Sequence, residues 1–336
     1  MKDFKKYFHT HLKANLRPLI YIFTLVLVLT LLLSNNLQPS ERYDVAAHQF
    51  ISYYSATLGV PVLFLCVLAY VLPVMEFSFF KKRNNLDCVY SLPISRKTMG
   101  AVHYFMGLII LLCAFTASYI LNFILLLTRG PGWFHFTPML AHYFLCLLLG
   151  AAMYALMVFV FNAANTQGDG IWFMVLYTFV FFLIGLLITG ILDTDVGFAF
   201  PAVPWGAISI VTTLYEGLVE LGAGKGYSFY EGLPVILTVI LWSLIGIASA
   251  VGFFCTFGKR RMEKTEEISD SFLGYRTLIP IFAIGGMLLF QMLDSIIIRV
   301  IIQMLAILGY TIYRRGFHYK KSDILFLCIS LIFLFV

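Results

Sequence analysis

The most obvious candidate for chemistry in this sequence is a glycine-rich segment with a lysine, GAGKGYS at residues 222–228. Such segments bind nucleotides when they match the Walker A pattern, whose backbone N–H groups surround the phosphates. A Walker A pattern ending at Gly224 and Lys225 would need glycine at position 219 and serine or threonine at position 226. The chain has Val219 and Gly226 instead, so the segment does not predict a nucleotide site.

The other ionisable residues do not form a known catalytic or metal-binding motif. The sequence has no HExxH pair for zinc, and no two of its six cysteines are close enough for a metal site or a redox pair. The seven histidines lie mostly near the ends of apolar segments, where amphipathic rings are common: His9, His11, His48, His103, His135, His142 and His318. We therefore predict no catalytic residue, no metal site and no cofactor on this chain.

Composition predicts an all-α membrane protein with many spans. Of the 336 residues, 61% are hydrophobic and 12% are charged, whereas a soluble domain usually carries about 25% charged residues. A helix needs about 20 apolar residues to cross the hydrocarbon core of a bilayer. Apolar runs near this length predict about nine spans: 18–34, 51–75, 101–127, 138–161, 171–192, 233–257, 277–293, 297–313 and 323–336.

The positions of lysine and arginine predict the orientation of these spans. Most of the 23 basic residues fall in the N-terminal arm and in three later segments, 76–100, 259–276 and 314–321. These four segments lie on one side of the predicted spans, and basic residues concentrate on the cytoplasmic side. We therefore expect a multi-pass protein of a bacterial cell membrane with a cytoplasmic N-terminus. Asp294 and Arg299 lie near an outer turn, which argues against an ion-coupled carrier.

The N-terminal arm, residues 1–17, has the pattern of an amphipathic helix. Phe4, Tyr7, Phe8 and Leu12 recur at helical spacing, and lysines occupy much of the rest. Such a helix lies along the inner membrane surface. We interpret it as an interfacial helix that also contacts a cytoplasmic partner, and a simple topology anchor is the alternative.

Residues 76–100, here called the elbow, are the longest basic connection between two spans. Proline 93 biases the residue before it toward extended geometry, and the helix of the third span is expected to open at the serine two residues later. The elbow mixes charged groups with apolar ones, as docking surfaces do. The candidate docking residues are Glu76, Lys81, Lys82, Arg83, Asp87, Tyr90, Leu92, Pro93, Ile94, Ser95 and Arg96. A loop that only fixes topology is the alternative.

The elbow also carries a family resemblance. Its string LDCVYSLPISRKTMGAVHYFMGLI resembles the segment between the second and third spans of ABC-2-type transporter permeases, and Asp87 and residues 91–96 carry the match. The resemblance covers residues 1–275 and includes an outer stretch, 193–232, which family members fold as short helices. It implies a six-span permease core over residues 18–258, followed by a cytoplasmic linker over 259–276.

The resemblance implies partners and a mechanism as well. In this family two permease subunits form the path, and two separate ABC ATPase subunits dock beneath them. ATP-driven closure then passes through the coupling elbow into the spans. This chain would be a permease subunit of an exporter, and its second permease would be the same chain or a paralogue. ATP and magnesium would bind to the partner ATPase, and no nucleic acid would take part.

Two alternatives stay open beside the exporter. The chain could be a non-transporting scaffold or sensor subunit of an ABC complex, which would share the elbow but move nothing. It could also be an intramembrane enzyme. The enzyme is disfavoured because the sequence shows no cluster of acid, base or nucleophile inside the spans.

The last segment, residues 277–336, extends beyond six spans. Arg276 precedes its first apolar stretch and Arg314 follows it, so both ends should face the cytoplasm and the stretch should form a hairpin that turns near Asp294. The final run, 323–336, is short for a full crossing. We expect the chain to be a shortened form of a longer relative that continues into an outer domain, and a bilayer that thins around the last span so that the terminal carboxylate reaches the outer surface is the alternative.

Overall fold

The structure is a computed structural model, and nearly all of its secondary structure is helical. It describes residues 2–36, 40–44, 49–53, 55–83, 94–129, 136–192, 206, 208, 211, 212, 215, 218, 219, 229–259, 265–267, 269, 271–291, 296–314 and 316–335. In these ranges nine α-helices follow one another: α1 (Lys2–Asn36), α2 (Ser55–Phe77), α3 (Arg96–Arg129), α4 (Phe136–Ala163), α5 (Gln167–Leu192), α6 (Phe229–Phe257), α7 (Tyr275–Gln291), α8 (Ile296–Arg314) and α9 (Lys321–Phe335). The predicted helical class is confirmed.

Seven of the helices in the described ranges are long and apolar enough to cross a membrane. Their apolar segments are Phe4–Asn36, Thr57–Lys81, Arg96–Thr128, Phe136–Ala163, Gln167–Gly185, Ile236–Phe257 and Ile297–Arg314. The apolar segment of α7, Tyr275–Leu288, is shorter, and α9 has 15 residues. Each predicted span thus corresponds to a helix, and the chain has the helices of a multi-pass membrane protein.

Helix α1 differs from its prediction because it does not stop between the arm and the first span. Its 35 residues include Pro18 and extend over about 52 Å. A helix that lay along the membrane and then turned through it would need a break near residue 18. The structure instead continues the arm into the span as one helix, and Tyr7 and His11 near its start form hydrogen bonds with α3 and α2.

A short β-hairpin follows α1 and was not predicted. Its strands β1 (Ser40–Asp44) and β2 (Gln49–Tyr53) are antiparallel, with Arg42 opposite Ile51. The second predicted span began at residue 51, whereas α2 begins at Ser55. The QFISY sequence of β2 contains isoleucine and aromatic residues, which favour strands, so the apolar run was a poor guide to where the helix begins.

The contacts divide the chain into two compact units, and the first contains α1, α2, α3, most of α4, and α6. It comprises Met1–Phe77, Cys88–Phe159 and Trp205–Arg260. α1 and α2 both pack against α3. Helices α4 and α6 approach closely at Gly246, where an added Cβ would lie 2.5 Å from the Cβ of Ala152. Glycine is therefore required at this crossing.

The second unit comprises Ser78–Asp87, Val160–Pro204 and Arg261–Val336. Here α5 packs against α7, and the hydroxyl of Tyr275 donates a hydrogen bond of 2.6 Å to Asp169. The α5 helix thus packs with the C-terminal helices, and the permease core over residues 18–258 stays a prediction.

Helices α7 and α8 form the predicted antiparallel pair. Gly286 of α7 faces Ile302 of α8, and Ile279 of α7 faces Gly309 of α8, so residues further along one helix meet residues earlier in the other. The predicted turn near Asp294 lies outside the described residues. Most of the predicted outer stretch, 193–232, also lies outside them, and the single residues described from 206 to 219 are helical.

Candidate functional site

A buried carboxylate lies at the end of α2. Glu76 occupies the last turn of this helix, and its side chain is 7% exposed. Removing an ionised carboxylate from water is costly unless other groups bond to it. Glu76 therefore needs hydrogen-bond donors from neighbouring helices, and the first compact unit supplies them.

Two histidines from different helices bond to the same oxygen of Glu76. Nδ1 of His103, in the second turn of α3, lies 2.9 Å from Oε2 of Glu76. Nε2 of His11, on α1, lies 3.0 Å from the same oxygen. The two imidazole rings are themselves in contact, with centroids 4.2 Å apart. We call His11, Glu76 and His103 the three-helix cluster, because each residue comes from a different helix.

Polar neighbours surround the histidines of the three-helix cluster. Nε2 of His103 lies 3.2 Å from the hydroxyl of Tyr7, and the side-chain amide of Asn15 lies 3.2 Å from Nδ1 and 2.9 Å from Nε2 of His11. Tyr7 can donate to a neutral His103, which in turn donates through Nδ1 to Glu76. A continuous chain of hydrogen bonds thus runs from the tyrosine hydroxyl to the carboxylate.

The spacing on α1 explains how one helix supplies so many of these groups. Tyr7, His11 and Asn15 are four residues apart, so they lie above one another on the same face. That polar stripe was the one signal in the sequence that pointed to the cluster. Its partners could not be found from sequence, because Glu76 and His103 lie 65 and 92 positions beyond His11.

The cluster corrects three statements of the sequence analysis. Two imidazoles and a carboxylate, with ligand atoms within 4.8 Å of one another, are a potential metal site, whereas none was predicted. They are also a buried acid–base cluster, so the stated ground for disfavouring an intramembrane enzyme is wrong. Glu76 itself was predicted to belong to a docking surface, but it is buried among helices instead.

Lys81 was also predicted to dock a partner, and the structure buries it too. It ends a short 3₁₀ helix, Ser78–Lys81, and is 2% exposed. Its ammonium donates to the carbonyl oxygens of Phe161 and Ala164 at 2.6 and 2.7 Å, and it lies 4.2 Å from the centroid of the Phe161 ring. Lys81 therefore caps the end of α4 within the second unit and does not face a partner.

Other docking candidates in the elbow are exposed. Lys82, Arg83, Ser95 and Arg96 face solvent, and Ile94 is half-buried. As predicted, a helix opens at Ser95, whose hydroxyl accepts a hydrogen bond of 3.2 Å from the backbone N–H of Thr98 and so caps α3. The remaining candidates lie outside the described residues: Asp87, Tyr90, Leu92 and Pro93.

The apolar face of the arm packs partly on protein. Phe4, Tyr7, Phe8 and Leu12 are all half-buried. Phe4 lies in edge contact with Phe105 of α3, with ring centroids 6.4 Å apart, and Tyr7 contacts His103 of the same helix. The predicted face thus exists, and part of it packs α1 against α3.

No protein-family model matches this sequence, and neither a curated protein nor a solved structure matches the chain. The likeness to ABC-2-type permeases accordingly rests on the elbow residues quoted above, chiefly Asp87 and residues 91–96.

Proposed function

We propose that this chain is the membrane-spanning permease subunit of an ABC exporter, driven by a separate ATPase that docks at the elbow. The second permease would be another copy of the chain or a paralogue. The assembly would lie in a bacterial cell membrane with the N-terminus of this chain in the cytoplasm. ATP and magnesium would bind to the ATPase.

One observation carries the proposal beyond the sequence resemblance, namely that the three-helix cluster joins both ends of the elbow. Glu76 is the first residue of the elbow, and His103 lies just past its last residue. The two side chains bond directly, and His11 ties both to α1. A segment that transmits movement must pull on the helices that flank it. Here a force on the elbow would reach α1, α2 and α3 together.

The docking surface is smaller than the sequence analysis expected. Glu76 and Lys81 are buried, so only part of the described elbow is open to a partner, including the basic residues Lys82 and Arg83 in the second unit and Arg96 in the first. A partner that recognises it would carry acidic groups at the contact. Charges across an interface set the choice of partner and the association rate.

The test is whether an ABC ATPase co-purifies with the tagged chain from the membranes of the cells that encode it. Reversing two exposed charges, Arg83→Glu with Arg96→Glu, should reduce the recovered ATPase at least tenfold while the permease still elutes as a single species in gel filtration. The matched control is Lys320→Glu with Lys321→Glu, which reverses two exposed lysines before and at the start of α9. ATPase recovery that is unchanged by the elbow reversal, or lost equally in the control, contradicts docking at the elbow.

The scaffold and enzyme alternatives give different results. A scaffold subunit would retain the ATPase but show no ATP-dependent movement of any compound across reconstituted vesicles. An intramembrane enzyme would purify without an ATPase. The intramembrane enzyme is kept as an alternative because of the three-helix cluster. This cluster contains a buried carboxylate and two imidazoles, which are groups that can act as an acid and as bases.

A further inference from the structure

We infer that the three-helix cluster is a binding site for a divalent transition-metal ion of the zinc class. Histidine nitrogens and a glutamate oxygen are the ligands that zinc takes in proteins, and three protein ligands with an open fourth position form a common arrangement. His11, Glu76 and His103 each offer one such atom, and these atoms lie within 4.8 Å of one another. The inference stands independently of the transport proposal.

The two distances to the carboxylate oxygen fit a metal with little movement, and the two histidine nitrogens lie within 4.8 Å of each other. Nε2 of His11 and Nδ1 of His103 lie 3.0 and 2.9 Å from Oε2 of Glu76. Ligand atoms around a tetrahedral zinc ion, at about 2.0–2.1 Å from it, are roughly 3.3 Å apart. The two nitrogens therefore need to separate from the oxygen by a few tenths of an ångström. Side chains on three different helices can accommodate that by small rotations.

The surroundings of the cluster also resemble those of metal sites. A histidine that binds a metal through one nitrogen usually bonds to a polar group through the other, which fixes its ring. The free nitrogen of His103 is Nε2, which lies 3.2 Å from the hydroxyl of Tyr7. The free nitrogen of His11 is Nδ1, which lies 3.2 Å from the Asn15 amide, and that amide can turn to present its oxygen.

Ligand chemistry and access narrow the choice of ion. Magnesium and calcium prefer sites made of oxygen atoms, whereas two imidazoles favour zinc and its neighbours. The carboxylate of Glu76 would neutralise one of the ion's two positive charges. The side chain of His11 is 16% exposed, so an ion has a route to the cluster although Glu76 and His103 are buried.

The test measures metal bound to the full chain purified in detergent micelles and stripped with a chelator. After incubation with Zn²⁺ and gel filtration, elemental analysis should find about one zinc per chain, as one three-ligand site requires. His11→Ala and His103→Ala should each weaken zinc binding at least tenfold. The matched control is His9→Ala, because His9 is exposed on the same helix two residues from His11 and should not affect binding.

A second measurement applies if an alanine variant does not fold. His11→Cys replaces one metal ligand with another, so the variant loaded with Co²⁺ should show a sulfur-to-cobalt charge-transfer band that wild type lacks. Wild type that retains no zinc overturns the inference. So does a folded His11→Ala variant that binds zinc as wild type does, or a folded His11→Cys variant without the new band. Loss of zinc in His9→Ala would likewise place the ion elsewhere.

Discussion

Glu76 and Lys81 are five positions apart in sequence and carry opposite charges, and both are buried. Glu76 belongs to the first compact unit and is held by side chains, the imidazoles of His11 and His103. Lys81 belongs to the second unit and is held by main-chain carbonyls of Phe161 and Ala164 at the end of α4. The hydrogen bonds of Glu76 join three helices, whereas those of Lys81 cap the end of one helix, α4.

The partners of these two charges suit one of them to regulation and the other to structure. Imidazoles can gain protons, lose them or bind a metal, so the partners of Glu76 can change their state. Backbone carbonyls only accept hydrogen bonds and do not change protonation state, so the partners of Lys81 stay the same. We therefore expect substitution of Lys81 to reduce stability and substitution of Glu76 to alter function at a smaller cost in stability.

The largest effect is expected for Lys81→Met. Methionine fills similar space but donates no hydrogen bond, so two carbonyls lose a charged partner at a helix end. The free energy of unfolding, measured by SDS titration in mixed micelles, should fall by roughly 3 kcal/mol. The control is Lys82→Met at the exposed neighbouring position, which should change it by less than about 0.5 kcal/mol. Equal effects at the two positions would contradict the burial of Lys81.

A smaller effect is expected for Glu76→Gln. Glutamine keeps the shape and one acceptor oxygen, but a hydrogen bond to a neutral acceptor is about half as strong as one to a carboxylate. The same titration should show a loss of roughly 1–2 kcal/mol. Glu267→Gln at an exposed position is the matched control and should show almost none. A loss at Glu76 larger than that at Lys81 would reverse the comparison between the two sites.

The sequence predicted the helices well because a long apolar run has few alternatives in a membrane protein. It also predicted that a helix opens at Ser95, since a serine before an apolar run is a common helix cap. It did not predict that the arm and the first span form one helix: residues 1–17 were interpreted as a separate interfacial helix, whereas the structure has a single helix over Lys2–Asn36.

The candidate site was much harder to predict than the helices. Lys81 was grouped with Lys82 because counting charges for topology treats every lysine alike, yet only one of them reaches the end of α4. Glu76 and His103 were assigned separate minor roles, because only helix packing brings them within 2.9 Å. The partners of a buried charge depend on which helices are neighbours, and a single sequence does not state that.

The most direct test of the proposed function is the mass of the intact assembly. The tagged chain would be purified in a mild detergent from cells that also express the ABC ATPase recovered with it, and the assembly would be measured by native mass spectrometry. The account predicts a complex of two permease subunits and two ATPase subunits that is lost in the Arg83→Glu, Arg96→Glu double variant. A chain that is found only by itself or with copies of itself, although the ATPase is expressed and folded, would contradict it.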